Sequence, residues 1–344
     1  MGSSTSTADQ FAGCLIGQCL GDALGSPVEG QPSEHCRQYA RRALGTLADP
    51  SRELPDFGGQ YTDDSQLARE LLSSYAEAGR FDAGDYAARI AAMFRDGRIV
   101  GAGRATSEAA RRLIQGVAWE AAGTPAPSAG NGSAMRAAPI GLMFWDEPEK
   151  MLEAAYDQGR ITHLDPRCSA GAVAGAVALA LRARSDLDRW HTQLSRWVER
   201  HDPALAEGLA VMPALASGSP EEALPVIRGF GQEADYDNGW SGISPFVTGS
   251  VLWSLYCFFR HPDDYAATIR TAIAVGGDVD TTAAMAGAIS GAYLGLAALP
   301  LRLAARLTDQ GEWGFEALLA LAQRAHAIKH RMPTRHRASS TGLL

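Results

Sequence analysis

Apolar residues recur along most of the chain at the i, i+3, i+4, i+7 spacing that lines one face of an α-helix, and strand-like alternation is hard to find. Periodicity and punctuation together predict helices over 8–24, 33–43, 62–79, 82–95, 104–117, 133–144, 165–185, 188–199, 245–260, 262–275, 280–298 and 311–329. Proline and glycine mark loops at Gly25–Pro32, Pro55–Gly59, Gly123–Gly132 and Asp235–Ser244. Several predicted helices repeat glycine at spacings of about four: Gly13, Gly17 and Gly21; Gly171 and Gly175; Gly287, Gly291 and Gly295. A helical glycine costs roughly 1 kcal/mol relative to alanine. Such repetition implies backbones that cross too closely for larger side chains. No repeat of solenoid length and no linker divides the chain. The expectation is one all-α domain over 8–332, with residues 1–7 and 333–344 as disordered tails.

Composition narrows the class. A chain of 344 residues, 46% hydrophobic and 20% charged, can bury a substantial core. Its net charge of −8 argues against a basic nucleic-acid surface. The five cysteines (Cys14, Cys19, Cys36, Cys168 and Cys257) show no C-x-x-C spacing, which points to free thiols in a reducing cytoplasm. Met1 to Gln10 lacks the layout of a signal peptide. The most membrane-like stretch, Ala283 to Leu299, is slightly short of a span and built from Ala and Gly as much as Leu or Ile. It reads as a core helix, and the whole chain as a cytoplasmic protein without membrane partners, its oligomeric state open and a monomer favoured.

Five constellations could carry chemistry. Tyr61-Thr62-Asp63-Asp64-Ser65 opens an amphipathic run, and its ordinary meaning is a helix cap with acids at the positive end of the dipole. Gly276-Gly277-Asp278-Val279-Asp280-Thr281-Thr282 opens an Ala/Gly-rich helix, where Asp280 or Thr281 could likewise cap. Capping does not explain two aspartates after two glycines in so apolar a neighbourhood. Buried carboxylates need a partner, and a cation supplies one. Together the two clusters offer four carboxylates and hydroxyls of threonine, hard oxygen donors that suit Mg²⁺, Mn²⁺ or Ca²⁺ and not zinc or copper. Gly21-Asp22-Ala23-Leu24-Gly25-Ser26-Pro27-Val28-Glu29 closes the first helix. Asp22 there sits against the helix dipole and must be held by hydrogen bonds or an arginine, while Glu29 is either a solvated loop acid or a group in a cleft. Gly130-Asn131-Gly132-Ser133-Ala134-Met135-Arg136 could hold phosphate at a helix start, or be an ordinary turn. Thr162-His163-Leu164-Asp165-Pro166 precedes another helix, with His163 a polar loop residue or a ligand contact.

Read in order, these five motifs resemble the ADP-ribosylglycohydrolase family, over about Phe11 to Gly295. The resemblance implies a compact orthogonal multi-helix domain with a dinuclear metal site in a central cleft. It also implies an enzyme that hydrolyses the glycosidic bond between ADP-ribose and an arginine or serine side chain. Two Mg²⁺ (or Mn²⁺) ions would be held by Thr62, Asp63 and Asp64 from one side and by Asp278, Asp280 and Thr281 from the other. Glu29 matches an acid beside the metals that gates or assists the water, so Glu29, Asp63 and Asp280 are the implied catalytic set. Asn131, Gly132, Ser133 and Met135 match a pyrophosphate-binding loop, and His163 a histidine on the substrate side. The implied partner is ADP-ribose or an ADP-ribosylated protein. The branch acting on arginine linkages carries an acid shortly after a Val-Gly pair, but here Val100-Gly101 is followed by Ala102, with Asp96 upstream. That departure makes a serine-type or other O-linked substrate conceivable. Alternatives are a hydrolase of a small ADP-ribose derivative or ADP-ribosylated nucleotide, and an immunity-type protein that sequesters such partners. Tyr236 and Trp240 are the candidates to stack on adenine.

Overall fold

Closely crossing helices account for the architecture. The computed structural model describes residues 7–45, 47, 54–168, 171–182, 184–230 and 239–331. Its first half contains α1 (Thr7–Gly25), α2 (Ser33–Arg42), α3 (Asp63–Ala78), α4 (Ala83–Arg95), α5 (Arg104–Ile114), α6 (Trp119–Ala122), α7 (Ala138–Phe144), α8 (Pro148–Arg160) and α9 (Gly171–Arg182). Its second half contains α10 (Trp190–Val198), α11 (Pro203–Ala210), α12 (Met212–Ser217), α13 (Pro220–Phe230), α14 (Val247–Arg260), α15 (Tyr265–Ala274), α16 (Val279–Leu294), α17 (Leu301–Ala304) and α18 (Phe315–Arg331). Strand pairing among the described residues is limited to isolated bridges. The helices form one compact all-α domain, and none is long and apolar enough to cross a membrane.

The largest interface joins α1 to α16. A Cβ placed on Gly17 would lie 2.5 Å from the Gly287 carbonyl oxygen, and Cβ atoms on Gly13 or Gly21 would strike the carbonyls of Gly291 and Ala283. The glycine repeats therefore do what their spacing implied at this crossing. Gly175 serves a different purpose, since it accommodates the Trp197 ring, with a built Cβ 2.8 Å from Cε3. The stretch from Ala283 onward is the buried body of α16, as a core helix should be. All five cysteines are free and buried.

Several predicted boundaries shift, for local reasons. The helix expected over 133–144 is a 3₁₀ turn at Asn131–Ser133 followed by α7. The one expected over 165–185 is a 3₁₀ turn at Pro166–Cys168 followed by α9. α16 stops at Leu294 instead of 298, because Gly295 turns out of the helix at φ 89°. Four helices between 148 and 230 were not predicted. α8 buries Met151, Ala154, Ala155, Gln158 and Gly159, a face with little large apolar signal. α11, α12 and α13 begin with proline at or next to their first residue, where it starts a helix and does not mark a loop.

Candidate metal centre and substrate cleft

The N-termini of α3 and α16 meet at the last turn of α1. There Asp22 accepts the Thr62 N–H at 3.1 Å, the Thr62 hydroxyl at 2.9 Å and the Ser65 N–H at 3.1 Å. The Ser65 bond is the one an N-cap side chain normally makes to the third helical residue. Thr62 occupies the cap position of α3 but makes no side-chain cap bond. Asp22 thus caps α3 from another helix, and the positive end of α3 offsets its unfavourable place at the end of α1. The side chains of Asp63 and Asp64 are left free of capping. The Asp63 N–H bonds Val100 O at 2.7 Å, and the Thr62 hydroxyl lies 2.9 Å from Asp64 Oδ2. Gln18, deeper in α1, donates to Asp64 O at 3.1 Å and Met135 O at 2.9 Å, tying α3 to the loop opposite.

The second cluster depends on two glycines. Gly276 and Gly277 adopt φ of 80° and 89°, a region costly for other residues, and a Cβ on Gly276 would lie 2.8 Å from Ser33. The turn they form brings Asp278 and Asp280 to the start of α16. Asn131 Nδ2 donates to Asp278 Oδ2 at 2.5 Å and to Ser250 Oγ at 2.9 Å, fixing that carboxylate. Asp280 Oδ1 accepts the Thr281 N–H at 2.9 Å, while Asp278, in the cap position, makes no side-chain cap bond. Gly30 N–H bonds Gly277 O at 2.9 Å, which holds the Glu29 loop against this turn.

Two carboxylate triplets result. Oxygen atoms of Asp22, Asp64 and Asp280 lie within 4.8 Å of one another, and so do those of Glu29, Asp278 and Asp280. Asp280 belongs to both. Asp63 belongs to neither and faces the cleft. The crowding is costly without a cation. Burial first, then neighbouring acids, pushes Asp63 up to about 8 and lifts Asp64 and Asp280 well above the ordinary carboxylate range. Burial and the Asp278 charge raise Glu29 to about 7. Asp22 reaches about 6 through burial, despite its hydrogen bonds. Asp64 Oδ1 is buried with no hydrogen-bond partner. An all-oxygen donor set with an orphaned buried oxygen fits a hard divalent cation.

Above the acids opens a cleft of about 320 Å³. Glu29, Asp63, Asp64, Asp278, Asp280 and Thr281 line its floor, while Asn131, Gly132, Met135 and His163 line one wall. Two sequence candidates lie outside the lining. Ser133 is fully buried and donates to the Cys168 carbonyl, and the Thr62 hydroxyl is engaged by Asp22 and Asp64. His163 is buried with Nδ1 2.8 Å from the Thr162 hydroxyl; burial, then the Arg136 charge, lowers it to about 3. Trp240 lines the cleft, whereas Tyr236 lies outside the described residues. Asp96 pairs with Arg95 and Arg98 on the surface and does not reach the cleft. A larger hollow of about 510 Å³, walled by α2, α13 and α15, contains none of these groups.

Residue-by-residue reading missed Asp22 as a capping group, Gln18, and the wall segment bearing Arg104 and Thr106. Arg104 left one signal: it is a cation in the first turn of α5, where the dipole disfavours positive charge.

An all-helical domain with carboxylate triplets under a substrate-sized cleft defines a class, and comparison with known proteins identifies it. Residues 3–335 match the sequence model described as ADP-ribosylglycohydrolase, and the chain belongs to that family. ADP-ribosylhydrolase ARH3 of Bos taurus is 29% identical, over 93% of each chain. ADP-ribosylarginine hydrolase Tri1 of Pseudomonas putida is 25% identical, over 85% of this chain and 72% of its own. A solved structure described as an ADP-ribosylglycohydrolase-related protein complex superposes with a TM-score of 0.67 at 27% identity, covering 94% of this chain and 99% of that one.

Proposed function

We propose that the protein is a metal-dependent hydrolase that cleaves the bond between ADP-ribose and an oxygen of a modified protein side chain. The observation that carries this reading is the pair of carboxylate triplets sharing Asp280 on the floor of the cleft. Asp64, Asp278 and Asp280, with Thr62, Asp63 and Thr281 beside them, would hold two Mg²⁺ or Mn²⁺ ions. Such ions supply a positive field that orients the ribose hydroxyls and acidifies water. Asn131 keeps Asp278 aimed at the site, and Gly132, Met135 and His163 line the wall along which the diphosphate would lie. Glu29, at the edge of the acid cluster and open to the cleft, is the candidate general base. In the reaction, water oxygen bonds to the anomeric carbon and the bond from that carbon to the side-chain oxygen breaks. The proton Glu29 takes from water returns to the leaving oxygen.

The two named relatives differ in name, one being an ADP-ribosylarginine hydrolase. Here the wall segment from Gly101 to Thr106 carries no carboxylate, and its charge is that of Arg104, for which no ion pair is seen among the described residues. A guanidinium leaving group would meet like charge there, which favours an oxygen linkage. The test is release of free ADP-ribose from serine-, arginine- and aspartate/glutamate-linked peptides, with Mg²⁺ and with EDTA. Serine-linked peptide should be cleaved, and both EDTA and Asp280→Asn should abolish cleavage. Release that survives EDTA, or faster cleavage of the arginine linkage, contradicts the proposal.

A further inference from the structure

What His163 presents to the cleft depends on which ring nitrogen carries its proton, and three buried side chains bear on that. Arg136 is fully buried, and its guanidinium can only donate. Its Nε donates to Gln158 Oε1 at 2.9 Å, and its Nη2 donates to Gln158 O at 2.9 Å and to the Thr162 hydroxyl at 2.8 Å. The Thr162 oxygen therefore accepts from Arg136, and its single proton is free to go to its other neighbour. That neighbour is His163 Nδ1, at 2.8 Å. An Nδ1 that accepts leaves the ring proton on Nε2.

We propose that Arg136 and Thr162 are positioning residues that hold His163 as an Nε2–H donor facing the cleft. The rest of the geometry agrees. The ring lies against Gly132, where a built Cβ would be 2.9 Å from Cε1 and 3.5 Å from Nε2. Nε2 has no protein hydrogen-bond partner among the described residues, and His163 lines the cleft. The His163 backbone is fixed as well: its N–H bonds Gly159 O at 3.1 Å, and Thr124 bridges it on both sides, through Thr162 O at 2.9 Å and the Leu164 N–H at 2.8 Å. Burial, then the Arg136 charge, lowers the ring's pKa to about 3, which favours its neutral form. A neutral ring with its proton on Nε2 recognises an oxygen that only accepts, such as a phosphate oxygen, and disfavours a donor at the same place. Resting on the ADP-ribose reading, this makes His163 a donor to an acceptor oxygen of the bound ADP-ribose. It also explains a buried arginine next to a histidine: Arg136 acts on the ligand through Thr162 without touching it.

Two measurements on the full-length protein test this. In ¹⁵N-histidine-labelled ligand-free protein, with the His163 signal assigned by the variant H163N, ring nitrogen shifts should report the Nε2–H tautomer in wild type and in Thr162→Ser. Thr162→Val, which removes the hydroxyl at nearly constant volume, should lose that single tautomer. Calorimetric titration with ADP-ribose in Mg²⁺ should then show Thr162→Val weakened about 2–10-fold, the range of one neutral hydrogen bond, with Thr162→Ser close to wild type. Thr162→Val removes an acceptor of the buried Arg136 and should melt lower. A retained cooperative unfolding transition therefore separates the effect from misfolding, and the wild-type tautomer decides the proposal if that variant does not fold. A wild-type ring protonated on Nδ1, or a folded Thr162→Val that binds ADP-ribose like wild type, overturns the proposal. Wild-type protein that binds no ADP-ribose overturns the functional reading and the assigned ligand, whereas the tautomer is decided without ligand.

Discussion

Asp63, Glu29 and Asp22 each bind a proton more tightly in the folded chain than an ordinary carboxyl does. Stability gained that way is fully present below the unfolded pKa and is lost as pH rises through the folded one. The window runs from 3.8 to about 8 for Asp63 and from 4.5 to about 7 for Glu29. Metal-free protein should therefore lose thermal stability from about pH 4 to pH 8, and Mg²⁺ should flatten that slope by neutralising the cluster. Melting curves in EDTA and in Mg²⁺ across this range check it, and Asp63→Asn should show a shallower slope in EDTA. Stability in EDTA that rises across the window would contradict the picture of an uncompensated acidic cluster. The acids themselves were legible in the sequence, because paired aspartates beside glycine in an apolar stretch are expensive to keep. Asp22 showed only half of its role. Its position against the dipole announced that something must hold it, but its partners lie 40 and 43 residues away.

At the level of elements, the crossing of α1 with α16 sets the distance between Asp22 and Asp280. In an open helix, replacing glycine by alanine stabilises by about 1 kcal/mol. At Gly17 the sign should reverse, since a Cβ there meets the Gly287 carbonyl at 2.5 Å. Gly17→Ala should destabilise by about 1–3 kcal/mol through overpacking. Gly84→Ala, on the exposed side of α4 with its nearest neighbour at 3.4 Å, should be neutral or stabilising. Thermal or urea unfolding of the two variants distinguishes them, and equal effects would mean that the crossing is not sterically tight. This crossing was legible because spacing alone carries it. α8 and α11–α13 were not: one buries mostly small or polar residues, and the others begin with prolines that ordinarily signal loops.

Across the whole molecule, the cleft is assembled from segments far apart in the chain. α1 supplies the cap, α3 and α16 supply the acids, the Asn131 loop orients one carboxylate, and the Thr162–His163 segment closes a wall. Sequence motifs named most of these parts but not how they interlock, because hydrogen bonds such as Gln18 to Met135 span 117 residues. The wall bearing Arg104 left two faint traces, Ala102 standing where an acid was looked for and Arg104 as a cation in the first turn of a helix. On the proposed function, two carboxylate triplets sharing Asp280 hold divalent cations beneath the substrate. Anomalous diffraction at the manganese edge, from crystals grown with Mn²⁺, tests it most directly. Two peaks are expected, one beside Asp64 and Asp280 and one beside Asp278 and Asp280 near Glu29. No peak in the cleft, or peaks that Asp280 does not contact, would contradict it.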